Sequence, residues 1–236
     1  GTAECDAMIM DGHTSNKGAL IGGRHFCNPV SLCEQIMYQS PYPALGAGEA
    51  REFAQNTNFP ICNPEDLTGN SLNVPYETEF DQDSECNRKI TEIFREKHDT
   101  VSAVAMDRDG NLACAASTGG MAGNFRGRDG DAQLIFFRTY ATTVGAATAT
   151  GFGESLTLGR RVVARMEDGE NAQTAAENAL TEITNIVDGH GGVIAIDQNG
   201  VFGMTCNTPQ MVWARIQNNT LEFALGPNEQ PNVEHL

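Results

Sequence analysis

Two helical segments follow one another in the second half of this chain, with blocks of short strands before and after them. That order restricts the fold more than any other feature. Apolar spacing predicts helix over Glu154 to Glu167 and over Ala172 to Val187, the second with Ala175, Ala179, Leu180, Ile183 and Val187 as its apolar stripe. Turn residues end both, Asp168-Gly169 and Asp188-Gly189. Upstream, Thr100 to Ala105 and Leu112 to Ser117 alternate as two strands of small residues around Asp107-Arg-Asp-Gly-Asn111. Downstream, Gly192 to Asp197 and Val201 to Cys206 form a hairpin about Gln198-Asn199-Gly200, and Met211 to Ile216 with Leu221 to Leu225 close the chain. A helix or sheet must bury its apolar side against another element. Strands, two consecutive helices and strands again therefore predict an α+β protein with helices layered outside packed sheets.

The first half begins the same way. Asp6-Ala-Met-Ile-Met10 and Gly18-Ala-Leu-Ile21 read as short strands joined by Asp11-Gly12-His13-Thr14. Pro29 opens an amphipathic helix through about Tyr38, with Val30, Cys33, Ile36 and Met37 on one face. Leu45-Gly-Ala-Gly48 is a strand-to-helix turn, with helix over Glu49 to Gln55. A Gly-x-Gly turn also suits a phosphate, but alone it signals only a tight turn. From Asn56 to about Ser84 the sequence is polar and rich in Pro, Asn and Asp, which predicts a mobile surface loop before a short helix over Glu85 to Glu96. The Asp-x-Asp-Gly of residues 107–110 has the start of a calcium loop without its downstream Glu, so a hairpin turn is expected.

Composition limits the partners. Across 236 residues, 15 Lys and Arg against 31 Asp and Glu give a net charge of −16, which repels nucleic-acid phosphates. With 40% hydrophobic and 19% charged residues the chain has ample material for a core. No apolar run approaches the roughly 18 residues of a membrane span, and Gly1-Thr2-Ala3-Glu4-Cys5 does not read as a signal peptide. Seven cysteines, an odd number without a Cys-x-x-Cys pair, indicate buried free thiols rather than a zinc site or a disulfide framework. The expectation is a cytoplasmic protein needing neither metal nor cofactor, with a lysosomal or secreted location as the alternative. Asn218-Asn219-Thr220 is a chance-level glycosylation sequon. Twenty-five glycines, about 11% where about 7% is usual, call for many tight turns or close backbone approaches.

Four segments combine hydroxyls, glycines and one charged pair: His98-Asp-Thr100-Val, Ser117-Thr-Gly-Gly120, Gly127-Arg-Asp-Gly-Asp131 and Ala149-Thr-Gly-Phe-Gly-Glu154. Thr100 begins a strand, Thr118 ends the next and Gly151 lies at a helix start, so all three are expected at one edge of a sheet. A threonine nucleophile needs a base, and no His-Asp relay is evident from spacing. Cleavage of the chain before the threonine supplies one, because a free α-amino group ordinarily titrates at about 7.7 to 8.0. Singly, each feature has a plainer explanation: a core threonine, an Arg-Asp turn pair, glycines that relieve crowding. Only their joint order argues for chemistry.

In that order and at that spacing the segments resemble the N-terminal-nucleophile hydrolases of the plant-type asparaginase, isoaspartyl peptidase and glycosylasparaginase family. Met10-Asp-Gly-His-Thr14, Gly18-Ala19, Asn28-Pro29-Val30 and Gly46-Ala-Gly-Glu-Ala50 resemble the pattern of that family's larger subunit. The resemblance implies a single domain over residues 1–236, folded as a four-layer αββα sandwich. Residues 1–99 are then the larger-subunit part and residues 100–236 the smaller, with self-cleavage between Asp99 and Thr100. It implies that Thr100 is the nucleophile, that Thr118 hydrogen-bonds and tunes it, and that Arg128 and Asp131 grip the substrate's α-carboxylate and α-ammonium. Thr150 and the backbone N–H of Gly151 match the oxyanion hole. The implied substrates are small molecules, L-asparagine or β-aspartyl dipeptides, and the implied assembly is a homodimer of processed heterodimers.

Departures from the family pattern keep other functions open. The family begins with a segment carrying a His-Gly-Gly strand and an Asn-Ala-Gly turn, and the resemblance here starts after it, which implies a sheet without that strand. Ser102 stands where the family has Gly, Asp129 replaces an aliphatic residue, and Phe136-Phe137-Arg138 replaces a small glycine-rich stretch. Cys206-Asn-Thr-Pro-Gln-Met211 resembles an Asn-Thr-x-Gly-Met pattern. His98-Asp99 is closer to glycosylasparaginases, whereas Ser117-Thr-Gly-Gly120 is closer to asparaginases. Glycosylasparaginase activity is thus one alternative, and an inactive member acting as a binding protein is another.

Overall fold

The computed structural model describes residues 4–67, 100–119, 138–151, 157–187, 190–226 and 229–236. Among these residues five strands build the first sheet, β1 (Cys5–Asp11), β2 (Lys17–Gly23), β3 (Ala44–Gly46), β4 (Thr100–Met106) and β5 (Leu112–Thr118), in the order β3-β2-β1-β5-β4. The second holds β6 (Thr139–Ala141), β7 (Gly145–Gly151), β8 (Gly191–Asp197) and β9 (Phe202–Cys206) in sequential order. Among the described residues four helices accompany them: α1 (Pro29–Gln39), α2 (Ala47–Asn56), α3 (Leu158–Glu167) and α4 (Ala172–Val187). A small third sheet, β10 (Trp213–Gln217), β11 (Thr220–Ala224) and β12 (Asn232–His235), ends the chain.

Burial follows the alternation of each strand. On the first sheet Ala7 and Leu20 face α1 and α2 and are buried with Leu32, Cys33, Ile36, Ala50 and Ala54. Residues of opposite parity, Met8, Met10, Leu112, Cys114 and Ala116, are buried against Ala141, Ala146 and Ile196 of the second sheet. The far face of that second sheet, Ala147, Ala149, Val193 and Ala195, packs on Leu158, Val162, Val163 and Met166 of α3 and on Ala175, Ala176 and Ala179 of α4. Small side chains on β7 and β8 let the α3–α4 pair approach closely. Gly18 has the same use on β2, where a Cβ would run into the Cys33 carbonyl of α1.

Local chemistry explains the element ends. Asn28 caps α1 through its side-chain oxygen, which accepts from the Ser31 N–H at 3.3 Å, and Pro29 fills the first turn where no N–H is needed. Asp107 binds its own turn, accepting from the Asp109 and Asn111 N–H groups at 2.8 Å each, so the Asp-x-Asp-Gly segment is the expected hairpin turn. Asn218 and Asn219 both have positive φ and form the two-residue turn of the β10–β11 hairpin.

Several expectations change. Leu32 belongs to the buried face of α1, whereas Val30 and Met37 lie at its margin. The helix expected from Glu154 begins at Leu158, because Thr157 adopts a left-handed conformation with φ 54° that helix cannot continue through. Of the cysteines described, Cys33 and Cys114 are buried, Cys27 is exposed, and Cys5, Cys62 and Cys206 are half-buried; all are free thiols. The polar segment after Asn56 includes a 3-10 turn at Pro64–Leu67. From residue 68 onward the segment, like the helix expected over Glu85 to Glu96, lies outside the described residues.

Candidate active site

Thr100 is the first residue of β4 and Thr118 the last of β5, and the ladder sets them directly opposite one another. Side chains of such a pair project to the same face about 5 Å apart at Cβ. The face is fixed by parity. Leu112, Cys114 and Ala116 point into the core between the two sheets, so Thr118 does too, and Thr100 with it. On the second sheet Ala146 faces the same gap whereas Ala147 and Ala149 face the helices, which directs Thr148 and Thr150 toward Thr100. The apolar gap between the sheets thus ends in hydroxyls contributed from both sides.

Thr100, Thr150 and Gly151 line one cavity of about 420 Å³, together with His190 and Met211. The expected meeting at one sheet edge is corrected in two respects. The residues come from two facing sheets, and Gly151 is the last residue of a strand rather than the start of a helix. Gly151 has φ +88°, and a Cβ there would run into the His190 carbonyl oxygen and the Gly191 Cα. It pairs with Gly191, and Thr150 with Gly192, so the last two pairs of the ladder carry three glycines and one threonine. A larger cavity of about 700 Å³ lies between β4 and the third sheet. Its wall is mainly aliphatic and aromatic, with Val104, Met106, Phe202 and Ile216, and holds none of the expected residues.

Two residues that sequence reasoning left without a role complete the surroundings. Asn207 accepts from the Gly191 N–H at 2.6 Å, donates through Nδ2 to the Thr184 hydroxyl at 2.8 Å, and returns its own N–H to the Gly191 carbonyl at 3.1 Å. The Asn-Thr of residues 207–208 is the sequence signal for it. Arg138, 6% exposed, donates from Nη1 to the Thr100 hydroxyl oxygen at 2.8 Å. Just beside it the buried Thr139 and Thr148 hydroxyls share a 2.9 Å hydrogen bond that ties β6 to β7. Arg128, Asp131 and Asp99, like Phe136 and Phe137, lie outside the described residues.

Among the described residues no cluster of three or more His, Cys, Asp or Glu side chains forms a metal site, and no helix is long and apolar enough to cross a membrane. The arrangement offers neutral hydroxyls, backbone amides and one buried cation, a donor set suited to an anionic centre that forms transiently.

A family model described as asparaginase matches residues 1–225. The chain is 36% identical over 242 residues to the isoaspartyl peptidase/L-asparaginase of Danio rerio, a match covering 100% of this chain and 77% of that protein. It is 33% identical over 229 residues to the protein of that name from Xenopus laevis, covering 95% and 72%. Against the one from Homo sapiens the identity is 30% over 237 residues, covering 97% and 74%. A match that runs through β1 to β11 and includes every hydroxyl of the inter-sheet cavity leaves one assignment: the chain belongs to the asparaginase family.

Proposed function

We propose that this chain is a threonine-type amidohydrolase that cleaves the side-chain amide of L-asparagine and the isoaspartyl bond of β-aspartyl dipeptides. The observation that carries the reading is the registered pair Thr100 and Thr118 facing Thr150 across the gap between the sheets. The relatives named isoaspartyl peptidase/L-asparaginase support it. In this reading the two helix-covered sheets form a four-layer αββα sandwich, a single domain divided into a larger part, residues 1–99, and a smaller one, residues 100–236.

Activation begins with the intact chain. The Thr100 Oγ attacks the Asp99 carbonyl carbon, the Asp99–Thr100 C–N bond breaks as its nitrogen takes up the proton, and an ester joins Asp99 to Oγ. Water hydrolyses that ester, leaving an Asp99 carboxylate and a free Thr100 α-amine. In turnover this amine accepts the hydroxyl proton while Oγ attacks the substrate's amide carbonyl. Thr118 hydrogen-bonds the nucleophile, and the Thr150 hydroxyl and Gly151 N–H meet the oxyanion, each such donor contributing about 3 kcal/mol. Ammonia or an amino acid leaves with the proton, and water releases aspartate from the acyl-enzyme. Arg128 and Asp131 hold the substrate's α-carboxylate and α-ammonium, for which a planar fork and a carboxylate are suited. The processed protein assembles as a homodimer of heterodimers.

Intact-mass spectrometry tests the first step. Wild-type protein splits between Asp99 and Thr100, Thr100→Ala stays whole, and only the split protein releases ammonia from asparagine. A wild-type chain that stays whole after long incubation defeats the reading.

A further inference from the structure

We propose that Cys27 and Cys62 form a thiol–disulfide exchange site: glutathione disulfide oxidises the pair to an intramolecular disulfide that clasps the α1–α2 layer. His25, Phe26 and Cys27, which lead from β2 into α1, each meet the segment that follows α2. The Cys62 N–H donates to the His25 carbonyl at 2.9 Å, and His25 Nδ1 lies 3.2 Å from the Cys62 carbonyl oxygen. Phe26 is buried and meets Phe59 edge to face, with ring centroids 6.2 Å apart. Cys27 then comes opposite Cys62, and the two thiols share a side-chain hydrogen bond. Both are free thiols, Cys27 exposed and Cys62 half-buried. Neither belongs to a helix or strand: Cys27 precedes the Asn28 cap of α1, and Cys62 precedes the 3-10 turn at Pro64–Leu67. The irregular backbone around each can therefore bring the two Cα atoms to the spacing of about 4.4–6.8 Å that a disulfide needs without breaking a ladder or a helix.

Exposure sets the order of events. Burial pushes the Cys62 thiol up to about 11, with Cys27 and Asp66 adding to it, so Cys27, which solvent reaches, meets the oxidant first. Its thiolate attacks one sulfur of glutathione disulfide; that S–S bond breaks, a bond from Cys27 to glutathione forms, and one glutathione leaves as thiolate. The Cys62 thiolate then attacks the Cys27 sulfur and the second glutathione leaves. Both thiol protons end on the departing glutathiones, so two protein thiols are oxidised while one glutathione disulfide is reduced to two thiols. Cys5 is the third thiol of this corner, but its Sγ is engaged elsewhere: it donates to the Gly23 carbonyl at 3.2 Å and lies 4.0 Å from the Phe26 carbonyl oxygen. The new bond joins residues 35 positions apart and closes a loop that contains α1, β3 and α2. Such a cross-link stabilises mainly by limiting the unfolded chain, more so for a longer loop.

The test is a non-reducing peptide map of the full chain after incubation with excess glutathione disulfide, remaining thiols being blocked with N-ethylmaleimide, together with a melting curve of the same samples. Wild type gives peptides joined through Cys27 and Cys62, two hydrogens lighter than the reduced pair, and earlier time points show glutathione on Cys27. Its Tm rises by about 5 °C or more over the reduced protein. Cys62→Ser stops at the Cys27–glutathione adduct, Cys27→Ser forms no cross-link, and both lose the rise, whereas Cys5→Ala keeps bond and rise alike. A wild-type chain that stays reduced, or ends as glutathione adducts only, overturns the site. So does a bond that joins Cys5, Cys86 or a second copy of the chain in place of the Cys27–Cys62 link. A Cys27–Cys62 bond that leaves Tm unchanged overturns the clasp. Where a serine variant does not fold, the wild-type map and melting curve decide.

Discussion

Thr100 and Thr118 form the terminal registered pair of the β4–β5 ladder, both facing the gap between the sheets, although 17 residues of strand and turn separate them along the chain. One hydroxyl is therefore delivered to the other by backbone hydrogen bonding rather than by side-chain packing. Thr118→Val keeps the β-branched shape and strand preference while removing the hydroxyl. The expected outcome is a protein that melts within a few degrees of wild type with kcat/KM for asparagine lowered about 100-fold, the scale of one lost preorganised hydrogen bond. Thr118→Ser restores most of the rate. Steady-state ammonia release and a melting curve check both.

Gly151 gives a prediction on stability and rate together. Its φ of +88° is outside the range that L side chains adopt readily, and an added Cβ meets the His190 carbonyl oxygen and the Gly191 Cα. A strained φ alone costs of order 1–3 kcal/mol. The partner atoms are backbone in the neighbouring strand and cannot rotate away. Gly151→Ala is therefore expected to lower Tm by about 5 °C or more and, in the proposed reading where its N–H meets the oxyanion, to abolish measurable turnover. Gly169, also at positive φ but with nothing within 4 Å of its would-be Cβ, provides the control: Gly169→Ala costs stability and leaves the rate intact.

Asn207 bridges the end of β8 to α4 through the Gly191 N–H and the Thr184 hydroxyl. Asn207→Leu strands both partners, and leaving half-buried polar groups unmade costs about 1–3 kcal/mol. Asn207→Asp keeps the acceptor for Gly191 and loses the Nδ2 donor, so its loss is smaller. Urea denaturation ranks the three proteins wild type, Asp, Leu. Because Gly191 is the ladder partner of Gly151, kcat falls in the same order.

Much of this fold was legible because its signals are local. The β4–β5 turn is written in Asp107 and Gly110, α1 in Asn28-Pro29, and the helical stripe of α4 in Ala175, Ala179, Leu180 and Ile183. What escaped is nonlocal. That Thr150 belongs to a second sheet depends on which parity of β7 faces the first, and its run of small residues is buried on both faces, which erases the alternation that would reveal it. Gly151 reads as a helix start because a glycine after a threonine suits a turn into a helix as well as the end of a strand; only its ladder partner Gly191 decides. Arg138 stood out as a departure from a glycine-rich stretch, but a sequence cannot tell a bulky obstruction from a cation turned onto a hydroxyl 38 positions away.

The buried thiols predict an alkaline weakness. Burial pushes the Cys5 thiol up to about 12, with Asp6 adding to it, and burial raises Cys33 and Cys114 further. An acid whose pKa is raised by folding holds its proton more tightly folded than unfolded. Stability is thus complete below the unfolded thiol value and declines as pH rises from there toward the folded value. At pH 10 an unfolded thiol has largely ionised while Cys114 has not, a penalty of roughly 1.4 kcal/mol for each such group. The urea midpoint is expected to fall between pH 8 and pH 10. Cys114→Ala loses packing at pH 8, where it is the less stable protein, but no longer carries its share of the alkaline penalty, so its deficit relative to wild type shrinks by about 1 kcal/mol at pH 10. A deficit that stays constant across that interval shows that Cys114 ionises as readily in the folded protein as in the unfolded chain.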